Sequence, residues 1–114
     1  MIVIETKSPT ITSKNNPLIK RFRSFKNNLS LKDNGYFCIE GTHLLEEFLK
    51  LGINPLKIIA TKKWLLKNNL LISNVDFKLI SEVSHDALSS AVSTKNPDGV
   101  AAIVEKSAIK NFKF

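Results

Sequence analysis

The chain has a single cysteine, Cys38, so no internal disulfide can close and the fold must rest on packing alone. No apolar run approaches the roughly 20 residues that a membrane-spanning helix requires. The opening Met-Ile-Val-Ile-Glu-Thr-Lys lacks the basic segment and apolar stretch of a signal peptide. These absences exclude a disulfide scaffold and a spanning helix, and they lead to the expectation of a cytoplasmic protein with no membrane partner.

Catalytic signatures are also missing. There is no glycine-rich phosphate loop, no G-x-G-x-x-G, no cysteine pair for zinc and no nucleophile elbow. His43 and His85 are the only histidines. His43 near Glu46 has the composition of a general base, but a surface histidine near a helix start is more often polar decoration. Cys38 falls inside a strand pattern, where a buried inert thiol is expected. Glu46 and Glu47 are adjacent and are expected to point to different helix faces, which does not make a carboxylate pair. The expectation is therefore a binding module with no catalytic residue, no metal and no cofactor of its own.

Acidic residues are scarce, 10 against 17 lysines and arginines, giving a net charge of +7. Residues 1–35 hold seven of the basic residues (Lys7, Lys14, Lys20, Arg21, Arg23, Lys26 and Lys32) and only two acids, Glu5 and Asp33. An excess concentrated in one region suggests one basic face, with nucleic acid as the leading partner class. The 114 residues suit one domain, with an ordinary 43% of hydrophobic residues to build a core.

Asn16-Pro17 is a helix start: a capping side chain followed by a proline set for the first helical position. Leu18, Phe22, Phe25 and Leu29 then recur at helical spacing, and Lys20 and Arg23 are expected on the opposite face with Arg21 and Lys26 flanking. Phe37 and Ile39 alternate with Cys38 and Glu40 as a strand. Gly41 turns the chain, and a helix follows with Leu44, Leu45, Phe48 and Leu49 as its apolar stripe and Glu46 and Glu47 in or just past its first turn. Lys57–Thr61 reads as a buried strand, and Trp64, Leu65 and Leu66 open a helix ending near Asn68. Val75, Phe77 and Leu79 alternate as a strand, Ser81 is placed to cap a helix carrying Val83, Ala87, Leu88 and Ala91, and Gly99–Val104 is a further strand. Met1–Glu5 is a weak edge-strand signal. Strands alternating with helices predict an α/β fold, a small sheet between helices with some parallel pairs.

Three blocks in order, Ile11-Thr-Ser-Lys-Asn-Asn-Pro-Leu-Ile-Lys20, Phe37-Cys-Ile-Glu-Gly-Thr-His-Leu-Leu-Glu-Glu47 and Ser93-Thr-Lys-Asn-Pro-Asp-Gly-Val100, resemble the amino-terminal substrate-binding domain of SpoU/TrmH-type RNA 2'-O-ribose methyltransferases. The resemblance runs from about Ile11 to Glu105. It implies a three-layer α/β/α sandwich with a small mixed sheet, like ribosomal protein L30e. It also implies that residues 1–10 are an extension, 11–105 the domain, and 106–114 the start of a linker to a catalytic domain that binds S-adenosylmethionine and forms the homodimer. An arginine often found before the Phe-x-Ile-Glu-Gly block in that family is absent from Leu31 to Gly35.

In related RNA binders the loop into the second helix and the loop before the last strand lie together and touch RNA. The matching residues are Gly41, Thr42 and His43 in the first loop and Lys95 and Asn96 in the second. With Lys14, Lys20, Arg21, Arg23 and Lys26 of the basic segment they form the candidate RNA-binding set. For Gly41 a turn requirement is an equally good explanation. The implied function is to hold a structured ribosomal or transfer RNA so that one 2'-hydroxyl meets the methyl donor. Other readings are a free-standing kink-turn binder of the L30e or L7Ae kind and a protein-interaction domain with an incidental basic face.

Overall fold

In the computed structural model, residues 9–26, 35–94 and 97–108 are described. Helix α1 (Pro17–Lys26) begins where the sequence signals it, with the Asn16 Oδ1 accepting the Leu18 amide at 2.8 Å. Strand β1 (Tyr36–Glu40) leads through Gly41 into α2 (Thr42–Lys50). Strand β2 (Lys57–Ala60) is followed by α3 (Lys62–Lys67), β3 (Ile80–Glu82), α4 (His85–Ala91) and β4 (Val100–Glu105). The sheet order is β1-β4-β2-β3. The last strand of the chain is thus inserted between the first two, antiparallel to both, while β2 and β3 run parallel.

Strand alternation sorts the core onto two faces. Ile58 and Ala60 of β2 and Val100, Ala102 and Val104 of β4 meet Leu45 and Phe48 of α2 and Trp64 and Leu65 of α3. Ile59, Ala101 and Ile103 project the other way onto Ile19 and Phe22 of α1 and Ala87, Leu88 and Ala91 of α4. With helices on both faces of a mixed four-stranded sheet, the fold is the expected three-layer α/β sandwich. Among the described residues no helix is long and apolar enough to cross a membrane.

Several elements differ from the sequence expectation. Val75 to Leu79 does not form a strand: the Asp76 carboxylate accepts the Lys78 amide at 3.0 Å and closes a short 3-10 turn over Phe77–Leu79, so β3 starts at Ile80. Ser81 therefore lies in β3, opposite Ile59, and the cap of α4 is Ser84, whose hydroxyl accepts the Ala87 amide at 3.1 Å. On α1 the fully buried residues are Ile19 and Phe22, with Leu18 and Phe25 only partly covered, because the helix packs on the sheet and α4 together. Leu44 is 40% exposed, and α2 buries Leu45 and Phe48. The expected edge strand Met1–Glu5 and the stripe residue Leu29 lie outside the described residues.

Candidate nucleic-acid interface

Two loops meet at the end of the sheet where β1 stops and β4 starts. The first is Glu40-Gly41-Thr42, in which Gly41 has φ 100° and ψ 156°, a backbone region nearly restricted to glycine. A Cβ there would meet no atom within 4 Å, so the glycine is required by the turn itself and not by crowding. The second loop, between α4 and β4, is fastened to the first by two carboxylates. Glu40 accepts the Ser93 amide at 2.8 Å, the Thr94 amide at 3.2 Å and the Thr94 hydroxyl at 2.7 Å. Asp98 accepts the Thr42 amide at 2.8 Å.

Asp98 alters what this edge can offer. Thr42 is the first residue of α2, so its amide is one of the donors a helix start presents to an anion. That donor is occupied from within, by a carboxylate. Hydrogen bonds from the Thr42 hydroxyl and amide hold the Asp98 carboxyl below its ordinary pKa of 3.8, and Lys67 nearby acts in the same direction. Thr42 in turn accepts the indole Nε1–H of Trp64 at 2.7 Å, which joins α3 to the same knot. Gly99 completes it. Its φ is +104°, its carbonyl accepts the Thr61 amide at 2.9 Å, and a Cβ would lie 3.0 Å from the Trp64 Cβ.

Helix α3 carries the exposed Lys62, Lys63 and Lys67 beside this knot. Between α3 and residues 97–99 is an open cleft of about 600 Å³. None of these lysines is among the candidate site residues, although Lys62-Lys63 and Lys67 are visible in the sequence as a basic cluster; Glu40, Trp64 and Asp98 read there only as parts of a strand, a helix and a family block.

The sequence-derived candidates separate. Gly41 and Thr42 lie in the clamped edge, and His43 is exposed one residue on. Glu46 and Glu47 fall beyond the first turn of α2, and, contrary to their expected divergence, both carboxylates approach the His43 ring, the three groups lying within 4.8 Å of one another. Lys95 and Asn96 lie outside the described residues, as does the Lys26 side chain. Lys14, Lys20 and Arg21 are exposed, with the Arg21 guanidinium 5.7 Å from the Tyr36 ring centroid.

Arg23 does not project from the outer face of α1. It is half-buried: its Nε donates to the Ser90 carbonyl at 3.1 Å, and its Nη2 donates to the Lys14 carbonyl at 2.7 Å and the Ser90 hydroxyl at 3.2 Å. The basic residues of α1 also lie across the sheet from α2 and α3, so the charge is not gathered on one face. Cys38 is partly buried, and its pKa is pushed up to about 12 chiefly by burial, with Glu40 adding to the rise, which disfavours the reactive thiolate.

Known proteins resemble this chain in sequence and in fold. An uncharacterized tRNA/rRNA methyltransferase of Synechocystis sp. is 37% identical over 95 residues, covering 82% of this chain and 35% of the relative. The AdoMet-bound rRNA methyltransferase of Sinorhizobium meliloti superposes with a TM-score of 0.65 at 22% identity, over 86% of this chain and 36% of that one. An RNA 2'-O ribose methyltransferase superposes with a TM-score of 0.73 at 22% identity, over 93% of this chain and 41% of that one. The chain thus spans a little over a third of the length of the proteins it matches. The family model for the MRM3-like substrate binding domain matches residues 16–102, and the chain belongs to that family.

Proposed function

We propose that this chain is the RNA-binding part of an S-adenosylmethionine-dependent RNA 2'-O-ribose methyltransferase, holding a ribosomal or transfer RNA while a catalytic domain transfers the methyl group. The observation that carries the reading is the clamp: Glu40 and Asp98 fix two loops at one end of the sheet beside the lysines of α3. A clamped, lysine-bordered edge suits the sugar-phosphate backbone of RNA. The names of the Synechocystis relative and of the superposed structures supply the reaction class.

The role is placement. A ribose hydroxyl is a poor nucleophile unless held in line with the methyl donor, so a domain without catalytic residues still contributes to rate through orientation. S-adenosylmethionine supplies an electrophilic methyl group when bound. The catalytic domain holds it on this reading. On this reading residues 11–105 are the binding domain, residues 106–114 lead toward the catalytic domain, that domain forms the homodimer, and the protein works in the cytoplasm. The additional length of the relatives favours this over a free-standing structural RNA binder.

The test is fluorescence anisotropy of a labelled structured ribosomal RNA fragment titrated with the 114-residue chain at about 50 and 200 mM salt. Measurable binding that weakens as salt rises is expected. No binding at the lower salt concentration overturns the reading.

A further inference from the structure

The cleft between α3 and residues 97–99 borders the clamp and shares Thr42 and Asp98 with it. Its volume of about 600 Å³ lies within the range of roughly 300–1,000 Å³ typical of small-molecule sites. Lys63 and Lys67 border it from α3, and they are four residues apart, hence neighbours on the helix surface. Pro97 and Asp98 face them, Asn68 lies at the end of α3, and His85 enters from the start of α4.

The polarity of the cleft is divided. Two ammonium groups stand on the α3 side and one carboxylate on the other. Asp98 accepts from the Thr42 amide and hydroxyl, about two of the four or so lone-pair sites of a carboxylate, and it lines the cleft as an exposed acceptor. Trp64 is only 4% exposed, too little for a base to stack on it. The exposed His85 ring and Pro97 are the surfaces available to a flat group. A ligand that matches carries negative charge at one end, hydrogen-bond donors at the other, and a planar body between them.

A nucleotide has that order of groups. We propose that the cleft is a nucleotide subsite that takes one unpaired ribonucleotide of an RNA strand, its phosphate at Lys63 and Lys67 and its hydroxyl or amino donors at Asp98. The proposal rests on the RNA-binding reading and deepens it by naming a subsite on the α2–α3 side of the sheet, away from the basic residues of α1. A free mononucleotide presents the same chemistry, and the strand is preferred because the cleft is open and borders the clamped loops through Thr42 and Asp98.

Trp64 is the only tryptophan and borders the cleft, so its emission reports occupancy directly. The 114-residue chain is titrated with a single-stranded RNA hexamer and, separately, with a mixture of the four nucleoside monophosphates, following Trp64 fluorescence. Binding of the structured RNA fragment is followed in parallel by anisotropy. The variants are Lys63→Glu and Lys67→Glu, with Lys50→Glu on α2 as an equal charge change outside the cleft. All three positions are exposed, and far-UV circular dichroism confirms that the variants fold.

The expected result is a Trp64 change with the hexamer, affinity lowered about tenfold or more by either cleft variant, and a salt slope reduced by about one, against a much smaller effect of Lys50→Glu. Binding of the structured RNA that is unchanged in both cleft variants, with Trp64 emission unmoved, overturns the subsite and leaves the RNA-binding reading intact. No RNA binding by the unsubstituted chain overturns that reading and the subsite with it. Monophosphates that bind as tightly as the hexamer overturn the assignment to a strand.

Discussion

At the scale of single residues, the start of α2 has no acidic side chain in its first turn, and the negative charge that a helix start attracts comes from Asp98, 56 residues further on. Because the folded state lowers the Asp98 pKa below 3.8, ionised Asp98 stabilises the fold above its unfolded pKa, and that contribution disappears as pH falls through the depressed folded value. Replacing Asp98 with alanine at neutral pH is expected to cost about 0.5–2 kcal/mol, the range for losing a helix-capping acceptor. The pH profile is more diagnostic. Thermal midpoints measured by circular dichroism between about pH 7 and 2 should fall less on the acid side for Asp98→Asn than for the unsubstituted chain. Parallel losses in the two proteins would show that Asp98 is not stabilised by Thr42. Gly41 and Thr42 were legible in the sequence because a strand, a glycine and an amphipathic stretch are local signals. The role of Asp98 was not: it stands in the Ser93–Val100 block, but its partner appears only when β4 inserts beside β1.

Among the elements, α1 gives the clearest case of a residue type read correctly and its role misread. Helical spacing located the element and Asn16-Pro17 located its start, but a period-3.6 pattern cannot tell which polar position meets a neighbouring helix. Arg23 meets α4, and its planar fork engages the Ser90 carbonyl and hydroxyl together with the Lys14 carbonyl. Lysine carries the same charge without the fork, so Arg23→Lys is expected to lower stability by about 1–3 kcal/mol, whereas Lys20→Ala on the exposed face should stay within about 0.5 kcal/mol. Urea unfolding of the two variants measures this, and equal midpoints would remove Arg23 from the α1–α4 contact. Charge reversal at Arg23 is for the same reason a poor probe of RNA binding, since it perturbs the packing of α1. The displaced β3 has a similar origin. Val75, Phe77 and Leu79 alternate convincingly, but the local Asp76 carboxylate competes for the backbone and bends the chain before the strand can start.

For the whole molecule, the decisive feature is that β4 belongs to both cores. Its Val100, Ala102 and Val104 enter the α2–α3 face while Ala101 and Ile103 enter the α1–α4 face, and it is hydrogen-bonded to β1 on one side and β2 on the other. Neither face can open without pulling alternate residues of one strand out of the other, so the two cores are expected to unfold together. Urea unfolding followed by Trp64 fluorescence, on the first face, and by the methyl NMR signals of Ala87 and Ala91, on the second, should give coincident midpoints and an m value of about 1–3 kcal/mol/M. The same coupling links the proposed RNA edge to the distant helices. RNA at about 100 times its dissociation constant adds roughly 2.7 kcal/mol to the stability of a molecule that binds only when folded, and it should raise the Trp64 and alanine midpoints equally. An RNA-induced rise confined to Trp64, or midpoints already separated without RNA, would show that the faces open independently and that β4 does not bind them into one cooperative unit.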